Sequence, residues 1–358
     1  MSVAKKSPLL RYLAGNKAVD LLGPDDFSLL LAEARASGLL GRLAQMVTKS
    51  PTFHLLSPHQ SGQLSAATIH AAGFRRDVQR ELTHIERALS GLDTPVILLK
   101  GACYVLLDLP AADGRIFSDA DILVEKAYIG AAEAALMLGG WATGALDAYD
   151  HRYYRQWSHE IPPMTHLHRG TTIDLHHSLV MPTCRVRVDT KKMIAAAVPV
   201  SDGGFWWRLR DEDLVLHAVS HLMLNSEFDR GLRDLWDIDL LYRHFSEADP
   251  GFLGSLFSRA QEVGLETLLN QVVRLMSTVF GTPLPACAPP MRNGPLLWLV
   301  ARSASTRHPA SSPTAQTGAD LALMLREMYL RLPAKLLAVH LWHKTSDLFT
   351  TQKKPLAV

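Results

Sequence analysis

Two aspartates one residue apart stand in the run Ser118-Asp119-Ala120-Asp121-Ile122-Leu123-Val124 and lead straight into an apolar, strand-like segment. Alternate side chains of an extended strand share a face, so Asp119 and Asp121 point one way while Ala120 and Ile122 point the other. Like charges so placed repel. Divalent cations relieve that repulsion, and hard ions such as Mg²⁺ take carboxylate oxygens together with phosphate oxygens. The pair therefore suggests phosphoryl chemistry. On this reading either aspartate can become asparagine without loss of stability, because the change removes a repulsion.

The surrounding segments supply the rest of such a site. Upstream, Thr94-Pro95-Val96-Ile97-Leu98-Leu99 is a short apolar run typical of a buried strand, and it ends at Lys100-Gly101 before a helical stretch from Ala102. A glycine at a strand-to-helix turn lets backbone N–H groups face a phosphate, and Lys100 adds a positive charge beside them. The alternative for Lys100 is a strand-end lysine whose stem snorkels to solvent. Downstream, Thr171-Thr172-Ile173-Asp174-Leu175-His176 alternates polar and apolar residues, which puts Asp174 and His176 on one face of another strand. Arg115 precedes Asp119 by four residues, and its planar guanidinium suits a phosphate. A loop ion pair with Asp108 or Asp113 is the competing use of Arg115.

At these residues the chain resembles the uncharacterised nucleotidyltransferase family of the DNA-polymerase-β-like superfamily. The resemblance rests on Leu98-Leu99-Lys100-Gly101, on Arg115 to Val124 around Asp119 and Asp121, and on Ile173-Asp174-Leu175-His176. It continues through Glu212 to His217, His221 and Leu235-Trp236-Asp237-Ile238. It implies an enzyme that moves a nucleoside monophosphate from an NTP to a hydroxyl-bearing acceptor and releases pyrophosphate. Asp119, Asp121 and Asp174 are then the catalytic, Mg²⁺- or Mn²⁺-holding residues, with Asp174 serving the acceptor side. Lys100, Gly101, Arg115 and His176 are the nucleotide-binding residues. For His176, contact with nucleotide or metal and support of Asp174 remain equal alternatives. The superfamily usually carries Gly-Ser or Gly-Gly after its first strand and a shorter gap to the paired acids, whereas this chain has Lys100-Gly101 and a longer gap. The acceptor, whether an RNA end, a small molecule or a protein, is not chosen by any motif.

Two other classes stay open. Histidines are numerous, 16 in all. His166, His168, His176 and His177 cluster on an expected hairpin, while His217 and His221 share a helical face at a spacing that can ligate zinc, so a histidine-based metal hydrolase is conceivable. The helix lacks the glutamate that follows the first histidine of a zincin, and packing beneath a cleft accounts for His217 and His221. The third class is a non-catalytic nucleotide-binding or scaffold module, against which stands the retention of all three acids and Lys100.

Composition sets outer limits. The 358 residues can bury a large core, 47% are hydrophobic, 20% are charged, and a net charge of +2 neither demands nor excludes a nucleic-acid partner. Cys103, Cys184 and Cys287 are odd in number and widely spaced, which fits a reducing, cytoplasmic setting. The N-terminal residues lack the apolar run of a signal peptide, and Lys100 and Asp108 interrupt the best candidate for a membrane span.

These residues need an α+β fold, a small mixed-sheet core between two helical regions. Residues 1–93 read as N-terminal helices, including a long one opened by Ser57-Pro58 whose charged stretch Arg75 to Glu81 is expected to face solvent. Residues 94–205 read as the strand-containing core, with a break at Gly139-Gly140 and a hairpin turning at Arg169-Gly170. Residues 206–358 read as helices, expected over 211–226, 229–245, 251–263, 265–280 and 318–332, with a loop over 303–313.

Overall fold

The computed structural model describes residues 7–15, 19, 22–145, 147–225, 228, 230–290, 294–308, 315–339 and 342. The expected helix ends at Ser226 and Asp229, the outer part of the 303–313 loop and the N-terminal residues before Ser7 lie outside this set.

Three helices open the chain: α1 (Pro8–Leu13), α2 (Pro24–Ala36) and α3 (Leu40–Thr48). The long helix α4 (Pro58–Leu89) starts where its sequence says it should. Pro58 occupies its first turn, the Ser57 hydroxyl accepts from the Gln60 backbone N–H, and Gln60 Oε1 accepts from the Ser57 backbone N–H at 3.0 Å. This reciprocal cap satisfies donors that the first turn leaves free.

A mixed seven-stranded sheet follows in the order β3-β4-β5-β2-β1-β7-β6, where β1 is Val96–Leu98, β2 Asp119–Leu123, β3 Trp141–Thr143, β4 Met164–His166, β5 Thr172–His176, β6 Val198–Pro199 and β7 Trp206–Arg208. Its centre is apolar: Val96, Ile97, Leu98, Ile122, Leu123, Ile173 and Leu175 are all buried. Helix α5 (Lys100–Leu106) leaves directly from β1, α6 (Ile129–Leu138) follows β2, α7 (Ala148–Gln156) follows β3, and α8 (Thr190–Ala195) precedes β6. Among the described residues these follow: α9 (Asp211–Ser220), α10 (Gly231–Ala248), α11 (Phe252–Val263), α12 (Glu266–Phe280), α13 (Pro295–Ser303) and α14 (Ala315–Arg331), with a further helical stretch over 334–339. The α+β core between helical extensions is thus the architecture found. Strands β3, β6 and β7 and helices α7, α8 and α13 were not expected from the sequence.

One expectation is overturned. Glu81 does not face solvent but is buried beneath the β4–β5 hairpin, where its carboxylate accepts from Arg169 Nε at 2.8 Å, Arg169 Nη2 at 3.0 Å and Thr171 Oγ1 at 2.6 Å. Arg169 also lies over the Trp141 ring, 4.9 Å from its centroid. A charged residue is tolerated inside because its hydrogen bonds are made. The long helix thereby holds the hairpin that carries Asp174.

Candidate active site

Strand pairing decides which carboxylates meet. β2 and β5 run parallel with Asp121 opposite Asp174 and Asp119 opposite Thr172, so Asp121 and Asp174 occupy the same step of the ladder. Antiparallel pairing of β1 with β2 continues past the strand end, where the Leu99 N–H donates to the Asp121 carbonyl at 3.0 Å. The chain then turns sharply at Lys100, whose φ of +44° lies in the left-handed region that lysine rarely adopts. That turn sends the Lys100 side chain back over the strand ends, and Nζ donates to Asp121 Oδ1 at 2.7 Å. His176 Nε2 reaches the same oxygen at 3.1 Å. Asp119, Asp121, Asp174, Lys100, Gly101 and Arg115 all line one cavity of about 530 Å³. His176 lies just behind it, buried against Asp121.

The carboxyls do not share one electrostatic setting. Burial raises the Asp121 carboxyl, but Lys100 and His176 outweigh it and hold the group well below the usual carboxylate range. No cationic side chain among the described residues pairs with Asp174 in this way. Burial first, then the charges of Asp121, Glu160 and Asp119, push its carboxyl up to about 7. Burial opposes the charge on Lys100 too, yet Asp121 prevails and raises it, so the ammonium stays charged. The donors facing the cavity are carboxylate oxygens, the set suited to Mg²⁺ or Mn²⁺.

Two residues read from the sequence as nucleotide ligands have additional structural duties. Arg115 pairs with neither Asp108 nor Asp113 but with Asp237 of α10, which also receives Arg42 Nη1 at 2.5 Å. Its guanidinium sits between the rings of Tyr104 and Phe117, at 5.7 and 5.6 Å from their centroids. At Gly101 a Cβ would come within 2.7 Å of the Phe117 ring, so the missing side chain makes room for Phe117 whatever else the turn admits.

The histidines divide in two. His217 is buried, and burial with Lys100 and His176 nearby pushes it down to about 3. His221 lines the cavity at the start of a π-helical turn, His221–Asn225, and is likewise pushed far down, chiefly by burial. Both imidazoles are therefore neutral at neutral pH, and neither is in the group of ligand atoms placed close together among the described residues. His166 belongs to the hairpin turn, accepting the backbone N–H groups of His168 and Arg169 at 3.1 and 3.2 Å.

Sequence reasoning missed Asp237, Arg233 and Arg331, which also line the cavity. Asp237 stood inside a segment already noted, but nothing local marks it as the partner of Arg115. Arg331 arrives from the end of α14 and carried no signal at all.

A family model described as an uncharacterised nucleotidyltransferase matches residues 23–281. No curated protein and no solved structure matches the chain.

Proposed function

Starting from a chain that belongs to the uncharacterised nucleotidyltransferase family, with a nucleotidyltransferase-type activity in general, we propose a Mg²⁺-dependent enzyme that transfers a nucleoside monophosphate from an NTP to a hydroxyl-bearing acceptor. Pyrophosphate is the leaving group. The observation that carries this reading is the register of β2 and β5, which sets Asp174 opposite Asp121 in a cavity that Asp119 and Lys100 also line.

In this reading Asp119, Asp121 and Asp174 hold Mg²⁺ or Mn²⁺, which when bound offsets the charge that builds on the phosphates during in-line displacement. Lys100 and Arg115 orient the triphosphate, and the Gly101 backbone lies beside it. His176 keeps Asp121 ionised and aimed. Asp174 serves the acceptor side, where it orients the acceptor hydroxyl or takes its proton. The acceptor is an RNA end, a small molecule or a protein side chain. Residues 94–205, whose sheet is joined by β7 from the next region, form the catalytic unit, with residues 1–93 and 206–358 as its flanking helical regions. No helix among the described residues is long and apolar enough to cross a membrane, and the free cysteines Cys103, Cys184 and Cys287 support a reducing, cytoplasmic setting.

The test is to supply α-labelled and γ-labelled NTPs in parallel to the protein with a cell extract and Mg²⁺. Nucleotidyl transfer puts the α-label on the acceptor and the γ-label in pyrophosphate. Transfer of the γ-label to the acceptor would make the protein a kinase instead.

A further inference from the structure

Behind the aspartates lies a second group of ligands, of which the transferase reading uses only His176. The stretch Ser158-His159-Glu160-Ile161 runs antiparallel to the end of β5, with Glu160 bridged to His176. The Ile161 N–H donates to the Leu175 carbonyl at 3.0 Å and the His177 N–H to the His159 carbonyl at 2.9 Å. Backbone pairing therefore fixes the three side chains His159, Glu160 and His176 beside one another. Their ligand atoms all lie within 4.8 Å of each other.

We infer that His159, Glu160 and His176 form a separate site for a zinc-type ion, distinct from the carboxylate site for Mg²⁺. The distances favour an ion over direct pairing. Glu160 Oε2 stands 3.4 Å from His176 Nε2 and 3.7 Å from His159 Nε2, beyond the usual hydrogen-bond length. Metal–ligand bonds of about 2.0–2.1 Å in a tetrahedron put neighbouring ligands roughly 3.3 Å apart, close to both values. Both imidazoles are buried, and each faces Glu160 Oε2 with its Nε2. Two imidazoles and a carboxylate select Zn²⁺ over Mg²⁺, which prefers oxygen throughout.

The site has a built-in link to the aspartates. His176 Nε2, one of its ligands, is the atom that meets Asp121 Oδ1 at 3.1 Å. Toward the Asp121 carboxylate, which only accepts, that nitrogen must carry a proton and donate, whereas zinc takes its lone pair; zinc at this site therefore displaces the Nε2 proton and leaves Lys100 as the Asp121 partner.

Zinc titration calorimetry on the chelator-treated full chain, in excess Mg²⁺ and without nucleotide, reads the site independently of any transferase activity. Wild type should bind one equivalent of Zn²⁺, and His159→Ala and Glu160→Gln should each bind it at least about tenfold more weakly. Glu160→Gln keeps the side-chain volume and carries the comparison should His159→Ala fail to fold. Bound Co²⁺ should give the visible absorption of a four-coordinate ion in wild type and lose it in both variants. Zinc affinity and Co²⁺ spectra that are the same in wild type and Glu160→Gln would overturn the assignment. Failure here leaves the transferase reading intact, and an absence of nucleotidyl transfer leaves zinc binding intact.

Discussion

Asp121 and Asp174 face each other across one step of the β2–β5 ladder, yet their carboxyls are driven in opposite directions. Asp121 is held ionised by Lys100 and His176, while Asp174 is pushed up to about 7 by burial and by the charge of Asp121 itself. Two carboxyls in one cavity are thereby separated into a permanent anion and a group that exchanges its proton near neutrality.

That separation has a pH signature in stability. In the unfolded chain Asp174 gives up its proton near the ordinary 3.8, whereas in the fold it keeps it to about 7, so between those values the folded state binds more protons. Stability contributed by this group therefore falls as pH rises through that window. Asp174→Asn should gain on wild type, by on the order of 1–3 kcal/mol, between pH 4 and pH 8 in the absence of divalent ions. Denaturant unfolding of both proteins across that range checks it, and a difference that does not change with pH would show that the Asp174 carboxyl is not raised.

Asp119 and Asp121 are not equivalent, contrary to the simple repulsion expected from their spacing. Asp121→Asn leaves Lys100, a largely buried ammonium, without its charged partner, and should cost about 3 kcal/mol. Asp119 is exposed, so Asp119→Asn should stay within about 0.5 kcal/mol of wild type. Melting temperatures of the two variants separate them. An equal loss in both would mean that Lys100 does not depend on Asp121.

At the turn after β1, Gly101→Ala should destabilise by about 1–3 kcal/mol, because its Cβ runs into the Phe117 ring. Phe117→Leu in the same chain should recover part of that loss, a coupling that a double-mutant cycle measures. Simple additivity of the two changes would place the glycine requirement elsewhere. Lys100→Ala, by contrast, should weaken NTP binding measured by calorimetry, since it removes a charge from the cavity wall.

Local pattern carried the parts of this site that are local. The alternation around Asp119 and Asp174 gave their strands, the cap at Ser57-Pro58 gave the start of α4, and the Arg169-Gly170 turn gave the hairpin. What stayed hidden depends on contacts between distant segments. Arg115 meets Asp237 across 122 residues, and Glu81 meets Arg169 across 88. Glu81 reads as one more charge on a polar helix face until the hairpin covers it. Strands β6 and β7, of two and three residues, are too short for a period to show, and Trp206-Trp207 reads as a boundary instead of a strand beside β1. His159 and Glu160 sit outside any regular element, brought to His176 by a single bridge.

The central claim is that the aspartate cavity carries out nucleotidyl transfer, and Asp119→Asn tests it most directly because this exposed side chain can change without disturbing the fold. Wild type and Asp119→Asn, matched for melting temperature, are each incubated with α-labelled NTPs, Mg²⁺ and cell extract, and the label on acceptor is counted. Wild type should label an acceptor in a Mg²⁺-dependent way and Asp119→Asn should lose that labelling by at least two orders of magnitude. Equal labelling by the two proteins would contradict the account.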